Sequence, residues 1–175
     1  MLYEAQFRNP AGAGKLIQAI RDMDLPELRI MEICGTHTMS IAKAGLRQIL
    51  PPHIHLISGP GCPVCVTPSG VMDEVLRISQ LPNVTITTYG DLLRVPGSVP
   101  GDNLQRRSAQ GADVRMVYSP MDSLDMAEQE PDREFIFLGV GFETTAPGTA
   151  IAVQEAKARG RKNFSLLSVL ERTEP

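Results

Sequence analysis

Short β-branched or apolar runs alternate along this chain with segments whose apolar residues recur at helical spacing, and that alternation limits the fold more than any other feature. Strands are expected at Leu28 to Ile33, Ile54 to Ile57, Val84 to Thr88, Val114 to Tyr118, Phe135 to Val140 and Phe164 to Val169. A helix around Gly14 to Met23 precedes the first. From Thr38, the positions Met39, Ala42, Leu46 and Ile49 predict a helix that Pro51-Pro52 must stop, because proline lacks an amide donor and clashes with the preceding turn. Val71, Val75 and Ile78 mark a third, with Thr67 as its cap and Pro68 at its first position. Further helices are expected near Asn103 to Ala109, near Ser123 to Gln129, and from Pro147 to Arg159, where Gly160 closes the last. Strands joined by single helices require right-handed crossovers, hence an α/β fold with a mostly parallel sheet and helices on both faces. The Gly/Pro-punctuated stretch Arg94 to Asp102 is the longest expected loop and suggests two small α/β subdomains, residues 1–98 and 99–175.

The unusual segments then fall at strand ends. Cys34-Gly-Thr-His37 follows the first strand, Gly59-Pro-Gly-Cys62-Pro-Val-Cys65 the second and Tyr89-Gly-Asp91 the third. Ser119-Pro-Met-Asp122 follows the fourth, and Gly139-Val-Gly-Phe-Glu143-Thr-Thr-Ala-Pro147 the fifth. All are carboxyl ends, where open parallel sheets bind ligands, so distant segments are expected to converge on one thiol-based site.

Composition narrows the chemistry. With 42% hydrophobic residues, 21% charged residues and a net charge of -3, the 175-residue chain has the makings of a soluble globular protein and no basic surface for nucleic acid. Such a length folds without disulfides or metal, so folding alone does not account for the cysteines. Met1 to Gly14 lacks the apolar core of a signal peptide, and no stretch approaches a membrane span, which places the chain in the cytoplasm. Three cysteines in a reducing compartment point to metal binding or redox work.

Cys62 and Cys65 sit three positions apart in a turn, a spacing that closes a disulfide or chelates one metal, and the helix start downstream lowers a thiol pKa. A tight Pro/Gly turn with cysteines as small apolar fillers is the alternative. Cys34 and His37 can ligate a metal, or His37 can exchange a proton with a neighbouring thiol; alone, such a pair is more often structural. His53 and His55 read as ordinary strand-edge residues. At Gly139 to Pro147, Thr144 and Thr145 precede a helix start whose amides can hold an anion, and Glu143 is a possible proton acceptor. A threonine-capped turn explains the same residues. The glycines form neither a dinucleotide fingerprint nor a Walker loop. Asp91, Met121 and Asp122 are weaker, since a loop aspartate usually caps a turn.

Taken together, Glu32-Ile-Cys34-Gly-Thr-His37-Thr, Ser58-Gly-Pro-Gly-Cys62-Pro-Val-Cys65 and Gly141-Phe-Glu143-Thr-Thr-Ala-Pro147 resemble the hydrogenase maturation factor HypD family. Tyr89-Gly-Asp91, Arg94-Val-Pro-Gly97 and Gly111 to Asp122 add matches in the same order, and the resemblance runs over residues 15–169. It implies a scaffold, not a conventional turnover enzyme, for assembling the Fe(CN)2CO centre of nickel-iron hydrogenases. It implies a small chaperone partner, HypC, and a cyanide donor, HypE, supplied by HypF. Carried over by motif, Cys34 is the iron ligand, shared with a chaperone thiolate. Cys62 and Cys65 are a thiol pair for iron binding or electron transfer, with His37 and Glu143 as supporting residues. Family members are longer, and further cysteines in their C-terminal part hold a 4Fe-4S cluster. None lies in this chain, which leaves the pattern after Val169 at Leu170-Glu-Arg-Thr-Glu-Pro175, so a truncated form without the cluster is expected. Two other readings stay open: a structural zinc site of Cys34, His37, Cys62 and Cys65, and a thiol-disulfide oxidoreductase.

Overall fold

The computed structural model describes residues 9–172. Most of Met1 to Gly14, expected to lack a signal peptide, and the end of the divergent segment Leu170 to Pro175 lie outside the described residues. The chain forms two compact units, Met1–Gly61 and Cys62–Pro175, each described by itself.

In the first unit, helix α1 (Pro10–Arg21) starts where the Asn9 carboxamide oxygen accepts from the Ala11 and Gly12 amides and Pro10 needs no donor. Strand β1 (Leu28–Glu32), helix α2 (Gly35–Lys43), the one-turn helix α3 (Leu46–Ile49) and strand β2 (Ile54–Ser58) follow. β1 and β2 pair in parallel, with Leu28 opposite Ile54 and Glu32 opposite Ser58. The single helix expected from Thr38 to Ile49 is broken at Gly45, whose φ of 62° is left-handed. The apolar period runs straight through that break, so periodicity could not reveal it. The Arg21 guanidinium ties α1 to the end of α3 through the Ile49 carbonyl at 2.9 Å.

The second unit begins with the one-turn helix α4 (Pro63–Val66) and helix α5 (Ser69–Ile78). Then come β3 (Val84–Thr88), a 3-10 turn (Gly90–Arg94), α6 (Leu104–Ala109), β4 (Asp113–Met116) and α7 (Pro120–Gln129). β5 (Glu134–Phe142), a second 3-10 turn (Glu143–Thr145), α8 (Ala146–Ala158) and β6 (Phe164–Glu171) complete it. The sheet runs β4-β3-β5-β6 and every pairing in it is parallel, as the alternation requires. Thr67 does not cap α5; it closes α4, its hydroxyl donating to the Pro63 carbonyl at 2.6 Å, and Pro68 takes the cap position of α5.

Both faces of this sheet are covered. Met72, Val75 and Leu76 of α5 pack with Ile86, Leu104, Leu138 and Val140. Phe135 and Phe137 alternate to the other face, against α7 and α8, where Leu124, Ala127, Ala152 and Ala156 are buried. Thr87 bonds Ser123 of α7 at 2.6 Å on that side. The Arg94 to Asp102 stretch is fastened down: Asp73 of α5 accepts from the Ser98 amide at 2.7 Å and its hydroxyl at 2.6 Å.

Candidate functional site

Cys34 occupies the cap position of α2, immediately past β1, with extended backbone (φ -143°, ψ 128°). Its side chain is part-buried. Its carbonyl accepts from the His37 amide at 2.8 Å and the Thr38 amide at 3.1 Å, which starts the helix. The thiol there lies at the N-terminal, positive end of the α2 dipole. His37 stands exposed on the first turn.

The turn is tied to both strands. Thr38 donates its hydroxyl to Glu32 Oε1 at 2.6 Å, and the Gly59 amide donates to the Glu32 carbonyl at 2.8 Å. The Thr38 hydroxyl bond holds the Glu32 carboxyl below its ordinary range, helped by the Ser58 hydroxyl, the Cys34 backbone and the Arg47 charge. Arg47 in turn donates to Ser58 Oγ at 3.0 Å. A Cβ on residue 59 would lie 2.4 Å from the Glu32 carbonyl oxygen, so the close approach there demands glycine.

In the second unit Cys62 caps α4. Its Sγ accepts from the Cys65 amide at 3.4 Å, and Pro63 is buried at the first helical position. The thiol pair therefore shares one helical turn, with Cys62 part-buried and Cys65 exposed. The Cys62 to Cys65 segment, expected as a turn, is thus a short helix in which a sulfur does the work usually given to Ser or Asp.

Past β5, Glu143 and Thr144 are exposed on the 3-10 turn. Thr145 stands at the head of α8 without capping it: its hydroxyl donates back to the Phe142 carbonyl at 2.8 Å. The Ala146 amide is spent on the Glu143 carbonyl. A Cβ on residue 141 would meet Thr145 Oγ1 at 2.3 Å, so glycine is required for Thr145 to fold over the strand end.

Asp122 does what the loop-aspartate reading expects. With Ser119 it forms a capping box for α7, its Oδ2 accepting from the Tyr118 and Ser119 amides at 3.0 Å each. Tyr89, edge-on to Phe137 at 5.5 Å, has its phenol pushed up by burial and then by the Asp122 charge.

At the opposite, amino ends of the strands lies a cavity of about 400 Å3 lined by Asn83, Arg107, Asp113 and Arg133. Its charges are already matched, Arg107 by Asp102 and Arg133 by Asp113, so it is no rival to the loops. Each unit thus gathers its own part of the expected set: Cys34 and His37 in the first, Cys62, Cys65, Glu143, Thr144 and Thr145 in the second. Among the described residues, no three His, Cys, Asp or Glu side chains cluster to hold a metal. Glu32 escaped sequence reasoning. The available signal was a carboxylate at the end of the apolar run Leu28 to Ile33, six residues before a threonine.

Comparison with known proteins gives a family for the chain. The family model for HypD, described as the hydrogenase formation hypA family, matches residues 12–175. The hydrogenase maturation factor HypD of Escherichia coli (strain K12) is 48% identical over 172 residues, covering 94% of this chain and 45% of that one. Its namesake in Rhodobacter capsulatus is 47% identical over 173 residues, covering 95% and 45%. That of Rhizobium leguminosarum bv. viciae is 46% identical over 168 residues, covering 95% and 43%. The chain therefore spans less than half the length of these relatives. With a family model that matches residues 12–175 and relatives 46%, 48% and 47% identical over nearly all of its length, the chain belongs to the HypD family.

Proposed function

We propose that this chain serves hydrogenase maturation by holding iron for assembly of the Fe(CN)2CO centre, Cys34 supplying the thiolate. The observation that carries the reading is the position of Cys34 at the cap of α2, where the helix dipole favours a charged sulfur and the turn around it is already tied in place. Iron is cargo here, and a soft thiolate donor suits it. Cys62 and Cys65 share the turn of α4 and form the redox or auxiliary pair. His37, exposed on the first turn of α2, is a supporting residue of the site, and Glu143 with Thr144 and Thr145 offers polar contacts at the β5 loop. The partners under this reading are a HypC-type chaperone that contributes a second thiolate and a HypE-type cyanide donor fed by HypF. The compartment is the cytoplasm. No helix among the described residues is long and apolar enough to cross a membrane.

Anaerobic co-purification with the chaperone, followed by iron analysis and infrared spectroscopy, tests this. Iron with cyanide and carbonyl bands, lost in Cys34→Ala, is expected. Tightly bound zinc without those bands, or full iron retention in Cys34→Ala, overturns it.

A further inference from the structure

We infer that Glu32 is a positioning residue for Cys34, a carboxylate latch that spans the β1-α2 turn and the end of β2. This rests on the reading of Cys34 as the iron ligand.

The geometry begins with strand register. Leu28, Ile30 and Glu32 share one face of β1, and Glu32 stands opposite Ser58, the last residue of β2. Glu32 is only part-buried, so its place is set less by desolvation than by its partners, the Thr38 and Ser58 hydroxyls and the Cys34 backbone. The Thr38 hydroxyl, on the first turn of α2, reaches Oε1 at 2.6 Å. Thr38 is also the residue whose amide bonds the Cys34 carbonyl, so the Glu32 contact fixes the one turn that determines where the sulfur points. Ser58 is held from its other side by Arg47, at 3.0 Å, which brings the α3 turn into the same network. The main chain repeats the connection, since the Gly59 amide bonds the Glu32 carbonyl at 2.8 Å.

Two strand ends and the first turn of a helix are thus locked through one side chain. The Cys34 side chain does not cap α2, so the cap geometry is set by the amide bonds to the Cys34 carbonyl and by the Glu32–Thr38 contact beside them. Thr38 and Ser58 have no catalytic need to be hydroxylated under the iron reading; both hydroxyls face this carboxylate.

The test uses the full chain and needs no iron for its first part. In Glu32→Ala, amides of residues 34–38 should exchange with solvent about tenfold faster, the size expected for losing a hydrogen bond to a charged group. Cys34 should be alkylated by iodoacetamide severalfold faster at fixed pH, while Cys62 and Cys65 react as before. Thr38→Val should reproduce both effects, and Glu32→Gln, which keeps an acceptor, should restore part of the protection. Iron loading in the chaperone complex should fall about tenfold in Glu32→Ala. Unchanged exchange at residues 34–38, or equal acceleration at every peptide of the chain, overturns the latch. If Cys34→Ala loads iron normally, the ligand reading falls instead, and the exchange and alkylation results still decide the latch.

Discussion

Asp113 shows how a single side chain contributes to the acid sensitivity of the second unit. Its carboxylate accepts from Arg115 at 2.8 Å, Arg133 at 2.7 Å and the Thr85 hydroxyl at 2.9 Å. The Arg115 hydrogen bond is the main cause of its lowered pKa, followed by the Thr85 bond and the charges of Arg115 and Arg133. A carboxyl whose pKa is lower folded than unfolded stabilises the fold at pH above its unfolded value of about 3.9. That contribution is lost as pH falls through the folded value. Asp113→Asn should therefore lower stability by about 1 kcal/mol at neutral pH, and the difference from the native chain should shrink below about pH 4. Urea midpoints measured at pH 7 and pH 3 check it; an equal gap at both would show the charge to be irrelevant.

At the scale of elements, what could be read from sequence depended on length and period. β3 and β5 were plain because runs such as Val84 to Thr88 and Phe135 to Val140 are long, β-branched or aromatic, and bounded by turn residues. The helix α4 was hidden, because Pro63 and the nearby glycines read as a loop and a cysteine cap has no sequence signature. The split between α2 and α3 was hidden for the opposite reason, since Met39, Ala42, Leu46 and Ile49 keep one face across Gly45. The site divides similarly. Cys34, Cys62 and Cys65 announce themselves by residue type, whereas Glu32 matters only through strand register and a turn closing back on it. Gly141 is a contact requirement that single-sequence reading cannot separate from turn flexibility. Gly141→Ala should cost about 1–3 kcal/mol through overpacking against Thr145. Adding Thr145→Ala, which removes the Oγ1 and Cγ2 atoms nearest that position, should recover most of the loss in thermal unfolding.

Over the whole molecule the buried residues are unequally shared. Among the described residues of the first unit only Pro51 is buried, and Ile30, Met31, Ile33 and Met39 are 48%, 45%, 39% and 57% exposed. The second unit holds Phe135, Phe137, Leu124 and Leu138 at 0% exposure. Protection from solvent exchange follows buried apolar contact, so amides of β1 and β2 should exchange by local opening while those of β3 and β5 wait for near-global unfolding. Native-state hydrogen exchange resolves this; equal protection in the two sheets would contradict it.

Strand β6 carries a consequence of its own. Phe164, Leu166 and Leu170 line one face and Leu167 and Val169 the other, with no proline or lysine from Phe164 to Glu171 to blunt the rim of the sheet. Such a rim offers its outward backbone groups for pairing with another strand, so the concentration at which a solution of this chain stays clear depends on that edge as well as on folding free energy.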